Sequence, residues 1–163
     1  MIMNENEILD TPDFHHSIPV QIRFNDIDML GHVNNTVYFS FFDLGKARYF
    51  EEVKKGHFDL SHIDIVVANI NVNFLAPITF YENVEVKTQV VSIGKSSFKM
   101  RQIIQNTDNS EVKCECTTIM VAFDTKKQCA DTLKSDWIDL LCNYEQRNLC
   151  QKKIDYGRKT IDA

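Results

Sequence analysis

Long apolar runs are missing from this 163-residue sequence, and none approaches the roughly 18 to 20 residues that a membrane-spanning helix requires. Basic runs are equally scarce, since no stretch of Lys and Arg exceeds two residues. With 18 basic against 23 acidic residues the formal net charge is -5, which argues against nucleic acid as a main partner. The first ten residues, MIMNENEILD, lack a basic-then-apolar pattern, so no signal peptide is expected. The cysteines number five, an odd count, and no two form a CxxC pair. Neither they nor the scattered histidines have metal-ligand spacing, so no metal site is expected. With three prolines, five glycines and no repeats, the chain also lacks linkers and low-complexity tracts. The expectation is one soluble cytoplasmic domain without a membrane partner.

What is present is globular: 44% hydrophobic and 25% charged residues in a chain long enough to bury a sizeable core. A polar arm over residues 1–16 precedes a first strand at Ser17–Phe24. Alternation with period two marks further strands at Ile63–Leu75, Glu82–Ile93, Ser97–Asn106 and Glu111–Asp124. Gly94–Lys95–Ser96 is of hairpin length. Cys114 and Cys116 share a strand face, where two small core side chains are the expectation. A short helix around Trp137–Tyr144 opens a C-terminal segment, 131–163, whose last dozen residues look loosely ordered. The domain therefore spans 1–163, with its core at about 17–124.

Thr36 to about Lys54 is the best helix candidate, with no proline and a single glycine, Gly45. Ser40, Asp43, Ala47, Glu51 and Lys54 fall in one narrow stripe at about 100° per residue, and apolar residues cover most of the rest. Such a helix is expected to be buried on several sides, wrapped by a curved sheet. Lys46, Arg48 and Glu52 interrupt the apolar arc and need partners or an exit to water. The class is α+β.

Chemistry concentrates just before this helix. Its first amides lack intrahelical acceptors and its dipole favours negative charge. Asn34, Asn35 and Thr36 are cap-type residues, and Asp26 and Asp28 lie just upstream. A carboxylate beside free N–H groups is the minimal equipment for acyl transfer: a nucleophile or general base, with amides for the oxyanion. Gly31 lets a substrate approach the backbone closely.

The segment Arg23–Asn35, RFNDIDMLGHVNN, followed by Tyr38 and by FFDLGKAR at Phe41–Arg48, resembles the signature of the 4-hydroxybenzoyl-CoA thioesterase-like branch of the hotdog-fold acyl-CoA thioesterases. That signature reads roughly R-Y/F-x-D/E-x-D-x-x-G-H-V-N-N-x-x-Y, then F-E/D-x-x-R/K. Weaker similarity continues through VNFLAPITFYENVEVKT and the strand pair around Gly94–Ser97, so the likeness covers about Val20 to Asp124. Tyr81–Glu82–Asn83 stands where relatives often have a Gly-Asp turn.

The resemblance implies a hotdog fold, an antiparallel sheet wrapped around a long central helix, and hydrolysis of an acyl-CoA to free acid and CoA without metal or organic cofactor. Carried over position by position, Asp28 matches the catalytic carboxylate, and Gly31, His32, Asn34 and Asn35 match the loop and helix start that polarise the carbonyl. Tyr38 matches a first-turn aromatic, with core packing expected and the substrate nearby. Lys95, Ser96 and Ser97, a Gly-turn with Lys and hydroxyls, are candidate CoA contacts. A homodimer, or a homotetramer built from it, is implied. An acyl-carrier-protein thioesterase and a non-catalytic acyl-CoA-binding module are the alternatives. Whether Phe41, Phe42, Phe74 and Phe98 line or block an acyl tunnel stays open at this level.

Overall fold

The computed structural model describes residues 14–57 and 64–150. The polar arm up to residue 13 and the tail from residue 151 lie outside the described residues. One long helix and one antiparallel sheet make the body. The chain runs β1 (His16–Val20), one 3-10 turn (Phe24–Asp26), α1 (Asn35–Lys54), β2 (Ile65–Phe74), β3 (Val84–Ile93), β4 (Ser97–Asn106), β5 (Val112–Asp124), β6 (Cys129–Ala130) and α2 (Ser135–Tyr144). The strand order is β1-β3-β4-β5-β2, with β6 paired to the end of β5. This is the hotdog arrangement that the sequence implied. No helix among the described residues is long and apolar enough to cross a membrane.

The sheet bends around α1 because each long strand pair carries an irregularity, at Val67/Asn69, Val90/Ser92 and Ile104/Gln105. The helix starts at a side-chain cap on Asn34 and stops at Lys55, whose left-handed φ of 52° lets its N–H reach back to the last turn. Its buried residues recur at spacings of three and four: Tyr38, Phe41, Phe42, Gly45, Lys46, Tyr49, Phe50 and Val53. Two apolar clusters result. Tyr38, Phe41 and Phe42 pack with Val33, Ile78, Val86, Ile104 and Cys114 at one end. Tyr49, Phe50 and Val53 pack with Phe98, Trp137 and Leu141 at the other. Between them lies a buried polar layer containing Thr88, Gln102 and Thr118.

Several expectations change in the structure. The helix is covered on one face only, and Phe39 and Leu44 stay 39% and 43% exposed, because the sheet reaches just one side. The interrupting charges find local partners: Lys46 Nζ is 2.8 Å from Asp43 Oδ1, and Arg48 bonds Glu51 Oε2 at 2.7 Å. Glu52 accepts a bond from the Tyr144 hydroxyl at 2.6 Å. The first strand ends at Val20 instead of Phe24, because Asp26 folds the chain back by accepting the Arg23 N–H at 2.7 Å. His16, placed in the arm by sequence, begins β1 and is buried against Tyr49. Strand β2, expected to be half-buried, is exposed over most of its length because it forms the sheet edge and, among the described residues, only β5 pairs with it. Strand β6 has no counterpart in the sequence reading.

Candidate active site

The segment between β1 and α1 is a chain of turns. Asp26 closes the first turn and, through its carbonyl, accepts the Asn34 N–H at 2.8 Å. An isolated bridge then pairs Ile27 with Val33, so the intervening residues form a small closed loop. Inside it, Asp28 holds three bonds: its N–H donates to His32 O at 2.9 Å, its carbonyl accepts Gly31 N–H at 3.0 Å, and its Oδ1 accepts Leu30 N–H at 2.8 Å. Gly31 takes φ 78°, the left-handed region that favours glycine. The other Asp28 oxygen has no partner among the described residues. The loop therefore orients one carboxylate firmly through Oδ1 and leaves its other oxygen unbonded by any described residue.

Helix α1 begins three residues after His32, with Asn34 as its cap. Asn34 Oδ1 accepts the Thr36 N–H at 2.9 Å and the Thr36 hydroxyl at 2.7 Å, and Asn34 O accepts Val37 N–H at 2.9 Å. The Asn35 N–H is left without an acceptor among the described residues. It sits at the positive end of a 20-residue helix, where an anionic oxygen is favoured. Asp28, His32, Asn34, Asn35 and Tyr38 line one cleft of about 330 Å³, closed on the far side by Phe74, Leu75, Ala76 and Pro77. Gly31 shapes the loop without lining the cleft.

The opposing wall has its own support. Leu75 and Ala76 N–H groups both donate to Lys113 O, at 2.9 and 3.0 Å, and Val33 N–H donates to Ile78 O at 2.8 Å. Lys113, buried, puts its Nζ 2.7 Å from Glu82 Oε1 and 2.6 Å from Glu111 Oε2. Glu82 in turn accepts Thr79 N–H at 2.7 Å and Asn106 Nδ2 at 2.9 Å. Burial works against the Glu82 charge, but the bonds from Lys113, Thr79 and Asn106 prevail and hold its carboxyl at about 2. The sequence reading passed over this cluster. Its signals are an acid in the Tyr81–Asn83 turn and a lysine beside the buried Cys114.

Tyr38 is buried, its hydroxyl is pushed up by desolvation, and its ring meets Phe74 edge-on at 5.1 Å, so it both packs and lines the cleft. Lys95, Ser96 and Ser97 do not join the cleft within one chain. Ser97 pairs with Val121 while Phe74 pairs with Cys114, seven positions along β5, or about 24 Å at about 3.4 Å per residue. Cys114 and Cys116 are buried core groups, and desolvation pushes the Cys114 thiol up to about 12. No cluster among the described residues has the ligands to hold a metal ion.

The antiparallel sheet around a long helix defines a fold class, the hotdog fold, and known proteins agree with it. The chain belongs to the thioesterase-like superfamily, whose family model matches residues 22–151. It resembles the long-chain acyl-CoA thioesterase FadM of Escherichia coli, at 25% identity over 118 residues, 72% of this chain and 89% of that protein. The uncharacterised protein YsmA of Bacillus subtilis is 26% identical over 89 residues, 55% of this chain, and the match spans only 60% of YsmA. Among solved structures, a Thermus thermophilus thioesterase complexed with coenzyme A and Zn superposes with a TM-score of 0.74 at 30% identity, over 82% of this chain and 96% of that one. A 1,4-dihydroxy-2-naphthoyl-CoA thioesterase from Synechocystis shares the fold, with a TM-score of 0.70 at 14% identity over 78% and 95% of the two chains.

Proposed function

We propose that this thioester hydrolase acts on an acyl-CoA, with Asp28 as nucleophile or general base and the Asn35 amide as oxyanion donor. The observation that carries the reading is the pairing, across one cleft, of a carboxylate oxygen and a helix N-terminal amide that have no partner among the described residues. A thioester seated with its carbonyl oxygen toward Asn35 presents its carbon to Asp28. The carboxylate attacks that carbon, or takes a proton from a water that does. The amide stabilises the negative oxygen as the carbon becomes tetrahedral, and collapse expels the CoA thiolate. In the nucleophilic route water then cleaves the Asp28 anhydride to free acid and carboxylate, and in the general-base route the proton held by Asp28 passes to the thiolate. The scheme uses no metal or organic cofactor. His32 and Asn34 shape the cleft, and Asn34 also fixes the first helical turn. Likeness to a long-chain acyl-CoA thioesterase and to a thioesterase solved with coenzyme A supports CoA as the carrier.

The reading includes a homodimer formed along β2. That edge exposes Val67, Ile70 and Phe74, and Leu75 follows it, an apolar and hydrogen-bonding surface that proteins cover or pair. Antiparallel pairing of two β2 strands would carry a second copy's Lys95–Ser97 turn to the Phe74 end of the first, where it can meet the CoA phosphates. Light scattering at micromolar concentration should give the dimer mass or a multiple of it; a monomer would undo this arrangement. Cytoplasmic placement is part of the same reading, supported by five unpaired cysteines.

The decisive experiment is Asp28→Asn, nearly isosteric, assayed by thiol release. Its kcat should fall by about 10²-fold or more with the fold intact. Asp26→Asn, which loses only a turn contact, should cost less. Near-wild-type turnover by a folded Asp28→Asn enzyme would remove Asp28 from the chemistry.

A further inference from the structure

We propose that Phe74 sets the acyl specificity of this site, and that the site takes compact acyl groups, short or single-ring, in preference to long straight chains; this rests on the acyl-CoA reading above. Of the four aromatic candidates along the helix and sheet, Phe41, Phe42 and Phe98 are at most 7% exposed and are packed into the core. Phe74 is 44% exposed and lines the cleft. Its ring stands edge-on to Tyr38 at an interplanar angle of 88°. Behind Tyr38 the space is taken by Val33, Phe41, Ile78 and Cys114, all buried in one cluster. An acyl group entering past Asp28 therefore ends against the Tyr38–Phe74 pair.

A long chain would need a path beneath α1, and that seam is closed. At Gly45 the helix lies so near the sheet that even a Cβ would come within 2.7 Å of Val86 Cγ1 and 2.8 Å of Gln102 Nε2. Gln102 Nε2 is already bonded to Phe42 O at 3.0 Å and to Thr88 Oγ1 at 3.1 Å. Prising this layer apart would strand buried polar groups with no water to replace their partners. The cleft that Asp28 and Phe74 line measures about 330 Å³, near the lower end of the roughly 300–1,000 Å³ of small-molecule sites. Phe74 lies outside the buried core clusters and is the aromatic that meets Tyr38, so its removal enlarges the cleft at the acyl end without unpacking the core.

The test measures kcat/KM for acetyl-, hexanoyl-, benzoyl- and lauroyl-CoA with the wild type, Phe74→Ala and Phe74→Leu, the leucine variant retaining bulk on the edge strand. The wild type should favour hexanoyl- or benzoyl- over lauroyl-CoA by about tenfold or more, the scale on which apolar sites reject groups that do not fit. Phe74→Ala should move the lauroyl-to-hexanoyl ratio up by about tenfold, with Phe74→Leu in between. Wild-type turnover that climbs steadily to lauroyl-CoA, as the name of the Escherichia coli relative would suggest, overturns the inference and leaves the thioesterase reading standing. An unchanged ratio in both variants does the same. Failure to release thiol from any of the four esters overturns the acyl-CoA reading and this inference with it.

Discussion

Helix α1 borders a cleft at each end, and the larger one is not the candidate active site. The cleft at its C-terminal end, about 450 Å³, is lined by Glu52, Lys55, Asn143 and Tyr144 among others. It too contains a carboxylate, but Glu52 accepts the Tyr144 hydroxyl at 2.6 Å and lies 3.8 Å from His16 Nε2. The helix end beside it presents carbonyls and a negative dipole, which repel the oxyanion of acyl transfer. The smaller cleft has the opposite polarity, with an amide and a carboxylate oxygen that no described residue bonds. Polarity and unspent bonding capacity, not volume, separate a reactive cleft from an inert one.

The contrast breaks most visibly on the two carboxylates. Against the loss of about 10²-fold expected for Asp28→Asn, Glu52→Gln, at the larger cleft, should leave kcat within a few-fold of wild type. Equal losses in both variants would mean that cleft polarity does not locate the chemistry. A second, smaller effect concerns Lys113→Met beneath the reactive cleft. It leaves Glu82 and Glu111 without their shared cation and should cost about 2 kcal/mol or more of stability. That is a fall of several degrees in Tm, while kcat drops far less than in Asp28→Asn. A melting curve identical to wild type would show that the ion cluster contributes nothing to the wall.

The smallest effect belongs to His16, at the other end of the helix. Its ring is buried beside Tyr49, and desolvation lowers its pKa from the ordinary 6.5, partly offset by the charge of Glu52. The folded protein thus binds fewer protons here than the unfolded chain. The resulting stability is complete above about 6.5 and is lost as pH falls from there through the lowered folded value. Tm should therefore decline between about pH 7.5 and pH 5.5 more steeply in the wild type than in His16→Leu. Parallel slopes would show that His16 does not titrate with folding.

Much of this molecule is legible in its amino acids. The turn-rich Asn25–Asn35 segment followed by a cap and a long helix predicts the loop and the helix start, because caps and turns are local choices made by Asp, Asn and Gly. Strand periodicity predicts β3, β4 and β5 to within about two residues. Period two says which residues share a face but not whether a strand is central or at the edge. That is how β2 reads as half-buried and is found exposed. The helix misleads for a related reason: Phe39 and Leu44 predict burial on several sides, and one chain supplies a sheet for only one.

The local chemistry was therefore determined by sequence alone: a carboxylate two residues after a turn-forming aspartate, a glycine for the left-handed turn, and asparagines at the start of a helix. Local bonds and backbone preferences fix those features, whatever the rest of the chain does. Only the tertiary structure decided what stands opposite them. Residues far along the chain, Phe74 to Pro77, arrive as the second wall because β2 pairs with β5. Glu82 and Lys113, 31 positions apart by their numbers, meet beneath that wall because the register of the strands brings them together. The Lys95–Ser97 turn falls at the distant end of the same strands for the same reason. Such contacts depend on strand order and register, which are set by the balance of the whole core and are written in no single stretch of the sequence.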